Sequence, residues 1–176
     1  IPAALGYGGQ ARGNIPANST LVFVVDIVGV ATENLADESV LSGATATGEE
    51  LPAGVTVTGD PGVEPTLTID ESVAAPTEQK IYTIYKGSGE ALTDDQTVLY
   101  KQVVGGFGAS GQTQSSWSQA PLQAPVKDAD LTGVTIGSRL LIIAPIPGQE
   151  AQSGQEATPN RATVFVVDIV GTSSMQ

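Results

Sequence analysis

Val22-Phe-Val-Val-Asp-Ile-Val-Gly29 is repeated letter for letter as Val164 to Gly171. Eight identical residues with Phe and Asp in fixed places mark a tandem duplication, and the offset of 142 positions, from residue 22 to residue 164, is about one domain length. The alignment runs backwards without a gap. Ile1 faces Ile143, Gly6 faces Gly148, Gln10 faces Gln152 and Asn18 faces Asn160. One copy ends at residue 29, too early to close a domain of its own. The chain is therefore expected to begin late in one domain and then to contain a second, whole one. The copies differ where side chains would be exposed: Tyr7 faces Gln149, and Ile15-Pro16 faces Ala157-Thr158.

The repeated segment is β-branched and apolar and lacks proline, so residues 20–30 read as a well-buried strand. The preceding stretch, rich in Gly, Pro and Asn, reads as a long loop. Residues 31–50 are polar and acidic and read as a linker between domains 1–30 and 51–176. Further strands are expected over 51–57, 66–69, 81–86, 96–104, 139–144 and 162–170. Gly87-Ser-Gly89 and Gly105-Gly106 read as breaks. No segment sustains a 3.6-residue apolar period, and the single helix candidate is the short stretch 127–131. These readings point to an all-β or β-dominated α+β domain with one twisted antiparallel sheet.

Composition narrows the chemistry. The 176 residues contain neither Cys nor His. Ser-His and Cys-His nucleophilic pairs, thiolate and imidazole metal sites, and disulfides are all excluded. A net charge of −12, with 7 scattered Lys and Arg, argues against a nucleic-acid partner. No stretch is long and apolar enough for a membrane helix. Asp128-Ala-Asp130-Leu-Thr-Gly133 opens like a calcium loop, but Arg139 stands where its closing Glu is required, so neither metal nor cofactor is expected. High Gly, Pro, Thr, Ser and Val with few lysines resembles an exported bacterial protein, which suggests an extracytoplasmic location.

Several motifs in order carry a resemblance. Ile1-Pro-Ala-Ala-Leu-Gly-Tyr-Gly8, Asn14-Ile-Pro-Ala-Asn18 and Leu21-Val-Phe-Val-Val-Asp26 resemble the C-terminal third of the FKBP-type peptidyl-prolyl isomerases, particularly their tandem-domain actinobacterial forms. The second copy matches more loosely, through a Tyr-bearing strand, Ser115-Ser-Trp117, Ile136-Gly-Ser-Arg139 and the repeated strand. The resemblance implies a five-stranded antiparallel sheet around one short helix, with a proline pocket between them. It implies that Tyr7 and Phe23 are catalytic residues of the first domain, with Ile15 binding substrate beside them. In the second domain it implies that Tyr100 and Phe165 are catalytic. Phe107, on an apparent loop, and Trp117, after the Ser-Ser turn, are substrate-binding candidates. Packing in the core also accounts for Tyr100, Phe165, Phe107 and Trp117.

The second domain departs from the family pattern. Thr113 and Gln114 stand where the family carries Phe and Asp, Gln149 replaces the loop Tyr, and the family's Val-Ile-x-Gly-Trp helix start has no counterpart. The expectation is an isomerase whose second domain is weak or inactive and serves to bind proline-containing peptides or proteins. The competing reading is an accessory subunit docking on a larger envelope or membrane complex.

Overall fold

The structure is a computed structural model and describes residues 1–24, 31–33, 37–108, 111–149 and 156–175. The chain divides into two compact units, Ile1–Val30 and Ala31–Gln176.

In the first unit, a single 3-10 turn spans Ala3–Leu5. The Gly/Pro-rich loop is tied by short-range backbone bonds. Arg12 and Ile15 exchange hydrogen bonds at 3.0 and 2.9 Å, and the Asn18 N–H donates to Gly8 O at 2.8 Å. The expected strand over 20–30 is not formed at residues 20–24, and residues 25–30 lie outside the described part. A strand needs a neighbour for its N–H and C=O groups, and the described part of this unit holds no partner strand. Val22 and Val24 are 84% and 89% exposed.

Among the described residues, the second unit contains ten strands in chain order: β1 (Ala31–Glu33), β2 (Thr45–Ala46), β3 (Val55–Thr58), β4 (Thr66–Ile69), β5 (Lys80–Lys86), β6 (Thr97–Phe107), β7 (Gln114–Ser115), β8 (Leu122–Pro125), β9 (Arg139–Ile146) and β10 (Arg161–Met175). An eight-stranded antiparallel sheet runs β2-β5-β9-β10-β6-β7, with β8 also on β6 and β1 on the end of β10. The hairpin β3-β4 is separate. The repeated octapeptide forms the middle of β10, the central strand. There, Val166 lies opposite Val103 of β6 on one side and Leu141 of β9 on the other.

Alternation along these strands builds two faces. Val103, Phe107, Leu141, Ile143, Val164 and Val166 point to one face and pack with Val55 and Leu67 of the β3-β4 hairpin. Val98, Leu140, Val167 and Ile169 point to the other and pack under Leu92, Val126 and Leu131. A third cluster joins Leu41, Leu99 and Val170.

Three expectations need correction. The sheet has eight strands rather than five. The stretch 127–131 is a turn, and no α-helix occurs among the described residues. Pro125 O accepts from the N–H groups of Asp128 and Ala129, the Leu131 N–H reaches back to Val126 O, and Asp130 has φ 55°. A left-handed residue stops a right-handed helix after its first turn. Finally, residues 31–50 are not a free linker. They carry β1, a 3-10 helix over Glu38–Gly43 and β2, with Leu41 fully buried. The Asp37 carboxylate caps that helix by accepting from the Ser39 N–H at 2.9 Å, and the Asp37 N–H donates to Val170 O.

Candidate functional site

The period of two that sets the faces of β6 and β10 places Tyr100 and Phe165 on the same side of adjacent strands. Tyr100 is opposite Ile169, and Phe165 is opposite Val104 and Ile142. Both are half-buried. They line a cavity of about 360 Å³ between the sheet and the turn that follows β8. Val98, Gln102, Ile142 and Val167 complete its sheet side. Ala124, Asp128, Ala129 and Leu131 close it from β8 and the turn. The lining is apolar apart from the Tyr100 hydroxyl, the Gln102 amide and the Asp128 carboxylate. This volume falls within the usual range of ligand pockets.

The other candidates lie elsewhere. Phe107 is not on a loop. It is the last residue of β6, 4% exposed, and packs in the cluster on the opposite face. It touches a separate hollow of about 390 Å³ at the strand ends, shared with Gln112, Thr113, Gln114 and Arg161. Thr113 and Gln114, the two departures in the Ser-rich turn, thus border that hollow and not the Tyr100 cavity. Trp117 is half-buried against the β3-β4 cluster and the Leu41 cluster. Its carbonyl accepts from Lys101 Nζ at 2.7 Å, and the same ammonium pairs with Glu38 at 2.5 Å. The lysine lies 5.8 Å from the Trp117 ring centroid. The indole N–H is buried without a hydrogen-bond partner among the described residues. In the first unit, Tyr7 is 42% and Phe23 65% exposed, Ile15 is half-buried, and the Arg12 guanidinium stacks 5.3 Å from the Tyr7 centroid. Of the seven candidates, the structure brings Tyr100 and Phe165 together in one cavity.

One ion pair supports the cavity from beneath. The Arg139 guanidinium donates to both Asp168 carboxylate oxygens at 2.7 and 2.8 Å, and to the carbonyls of Gly59 and Val63 at 2.7 Å each. Both side chains are 1% exposed. Burial pushes the Asp168 carboxyl above the ordinary carboxylate value, against the opposing pull of Arg139. Their network ties the loop between β3 and β4 to the central strands. It lies on the opposite face of β10 from Phe165, three residues further along the strand.

The cavity residues Gln102, Ile142, Ala129 and Asp128 are not among the seven candidates. The first two were available from alternation. Gln102 is two residues from Tyr100 on the same strand, and Ile142 alternates with the buried Leu141 and Ile143. Ala129 and Asp128 depend on the path of the turn, which no local pattern encodes.

No protein-family model matches the chain, and no curated protein matches it in sequence. Among solved structures, the chain is similar to FkpA from Escherichia coli, with 19% identity and a TM-score of 0.41 over 57% of this chain. It spans about half of FkpA, 52% of that chain. It is similar to AtFKBP13, with 14% identity and a TM-score of 0.40, over 56% of this chain and 95% of that one. It is also similar to a peptidyl prolyl cis-trans isomerase, FKBP12, from Mycobacterium tuberculosis, with 22% identity and a TM-score of 0.39, over 55% of this chain and 86% of that one.

Proposed function

We propose that the cavity of Tyr100 and Phe165 binds apolar, proline-containing segments of other polypeptides, in a protein of the peptidyl-prolyl isomerase type whose 31–176 unit is a weak or inactive catalyst. The observation that carries this reading is the convergence of one Tyr and one Phe from adjacent strands on an apolar cavity.

Rotation about an X-Pro bond faces a barrier of about 18–20 kcal/mol set by amide resonance. Lowering it requires no nucleophile, metal or proton relay. It requires binding the twisted amide better than the planar one. A desolvated ring site and a donor for the substrate carbonyl supply that preference, and Phe165 and the Tyr100 hydroxyl are the matching groups here. The absence of His and Cys from the sequence is compatible with this chemistry.

The reason to expect weak catalysis is the wall opposite the sheet. Ala129 and Leu131 of the turn line it, so among the described residues that wall sets no aromatic ring against Phe165. A loosely held ring is bound almost equally in its planar and twisted states, and uniform binding does not accelerate rotation. An extracytoplasmic location, suggested by composition, belongs to the same proposal.

A protease-coupled cis–trans assay on the full chain tests the catalytic part. The expected result is little or no acceleration over the uncatalysed rate, together with measurable peptide binding. Acceleration equal to that of an intact isomerase would overturn the weak-catalyst reading.

A further inference from the structure

We propose that Asp128 selects ligands by charge, so that the cavity favours an apolar peptide side chain with a Lys or Arg next to it in sequence. The inference rests on the peptide-binding reading above and adds a specificity to it.

Asp128 is exposed on the turn between Val126 and Leu131 and contributes to the cavity lining. Every other lining residue is uncharged. Its neighbours in sequence, Lys127 and Asp130, are exposed and do not line the cavity. A ligand side chain seated against Phe165 therefore leaves its adjacent residue facing the one carboxylate of the lining. The apolar walls limit the water that can screen that charge from one side. A cation placed there is attracted, and an anion is repelled twice, by Asp128 and by the −12 field of the whole chain. Because Asp128 is open to solvent, the effect is modest. A rim charge pair of this kind corresponds to about two- to fivefold in affinity.

The test uses the full chain and fluorescence anisotropy with a labelled Gly-Leu-Pro-Lys-Gly peptide and its Gln and Glu forms in place of Lys. Affinity should fall in the order Lys, Gln, Glu, with about a two- to fivefold Lys-to-Gln ratio at low salt that shrinks as salt is added. Asp128→Asn should bring that ratio close to one. Glu64→Gln removes the same charge from an exposed site beside the β3-β4 hairpin, away from the cavity, and should leave the ratio intact. Equal affinities for the Lys and Gln peptides would overturn the inference while leaving peptide binding standing. Equal effects of the two substitutions would overturn it too, since the field of the whole chain would then be the cause. Failure of all three peptides to bind would overturn peptide binding itself, and this inference with it.

Discussion

Arg139 and Asp168 are direct partners across the β9-β10 ladder, and their side chains meet in a two-pronged ion pair in which each is 1% exposed. The Asp is the fifth residue of the repeated octapeptide. In β10 the octapeptide is therefore more than a hydrophobic strand, because its one charge is a buried anchor for a guanidinium that also holds the Gly59 and Val63 carbonyls.

Breaking that pair leaves a buried charge without a partner. Asp168→Asn or Arg139→Met should destabilise the 31–176 unit by about 3–5 kcal/mol, read from urea denaturation of the full chain. The double substitution Arg139→Met with Asp168→Leu should recover much of that loss, because neither residue then carries an uncompensated charge. A loss under about 1 kcal/mol for the single variants would contradict the buried-anchor role.

Leu41 tests the place of residues 31–50. If the segment were a free connector, Leu41→Ala would be silent. With the side chain fully buried against Leu99 and Val170, it should cost about 2–5 kcal/mol in the same denaturation experiment.

The carboxyl groups should titrate on opposite sides of their ordinary value of 3.8. Burial raises Asp168, so the folded state holds that proton more tightly than the unfolded chain. Its contribution to stability declines as pH rises from 3.8 through the raised value. Asp70 is lowered by the hydrogen bonds of the Ser72 hydroxyl and N–H, so its contribution is present above 3.8 and is lost as pH falls through the lowered value. Carboxyl carbon NMR titration should give a midpoint above 3.8 for Asp168 and below it for Asp70. The reverse order would contradict these environments.

Gly106 explains why a strand passes through Gly105-Gly106, a pair that reads as a break. A Cβ on Gly106 would lie 2.8 Å from Ala162 O on the neighbouring strand, and one on Gly105 would lie 3.2 Å from Leu67 and Thr113. The glycines allow close approach within the sheet and do not end it. Gly106→Ala should therefore destabilise the unit by about 1–3 kcal/mol, seen as a lowered denaturation midpoint. An unchanged midpoint would contradict the close approach.

These residues show what was legible and what was not. The long strands follow from β-branched alternation, and the burial of β10 follows from its apolar, proline-free run. The pairing of Tyr100 with Phe165 came from the family resemblance, and strand alternation places both on one face. The stretch 127–131 reads as a short helix but forms a turn. The left-handed Asp130 decides otherwise, and no composition rule marks it. Residues 31–50 are polar except for scattered apolar positions, so one deeply buried leucine is lost in the average. Phe107 reads as a loop residue because Gly105-Gly106 reads as a break, whereas close packing is what requires those glycines. In the first unit, β-propensity over 20–24 yields no strand, since propensity cannot supply the neighbour a strand requires.

Binding of an apolar peptide segment in the Tyr100–Phe165 cavity can be followed residue by residue, by backbone amide NMR on the full chain during titration with the Gly-Leu-Pro-Gln-Gly peptide. Saturable shifts are expected at Tyr100, Gln102, Ala129 and Phe165, with Phe107 and Gln112 unmoved. Absence of saturable shifts, or shifts confined to the hollow around Phe107 and Gln112, would contradict it.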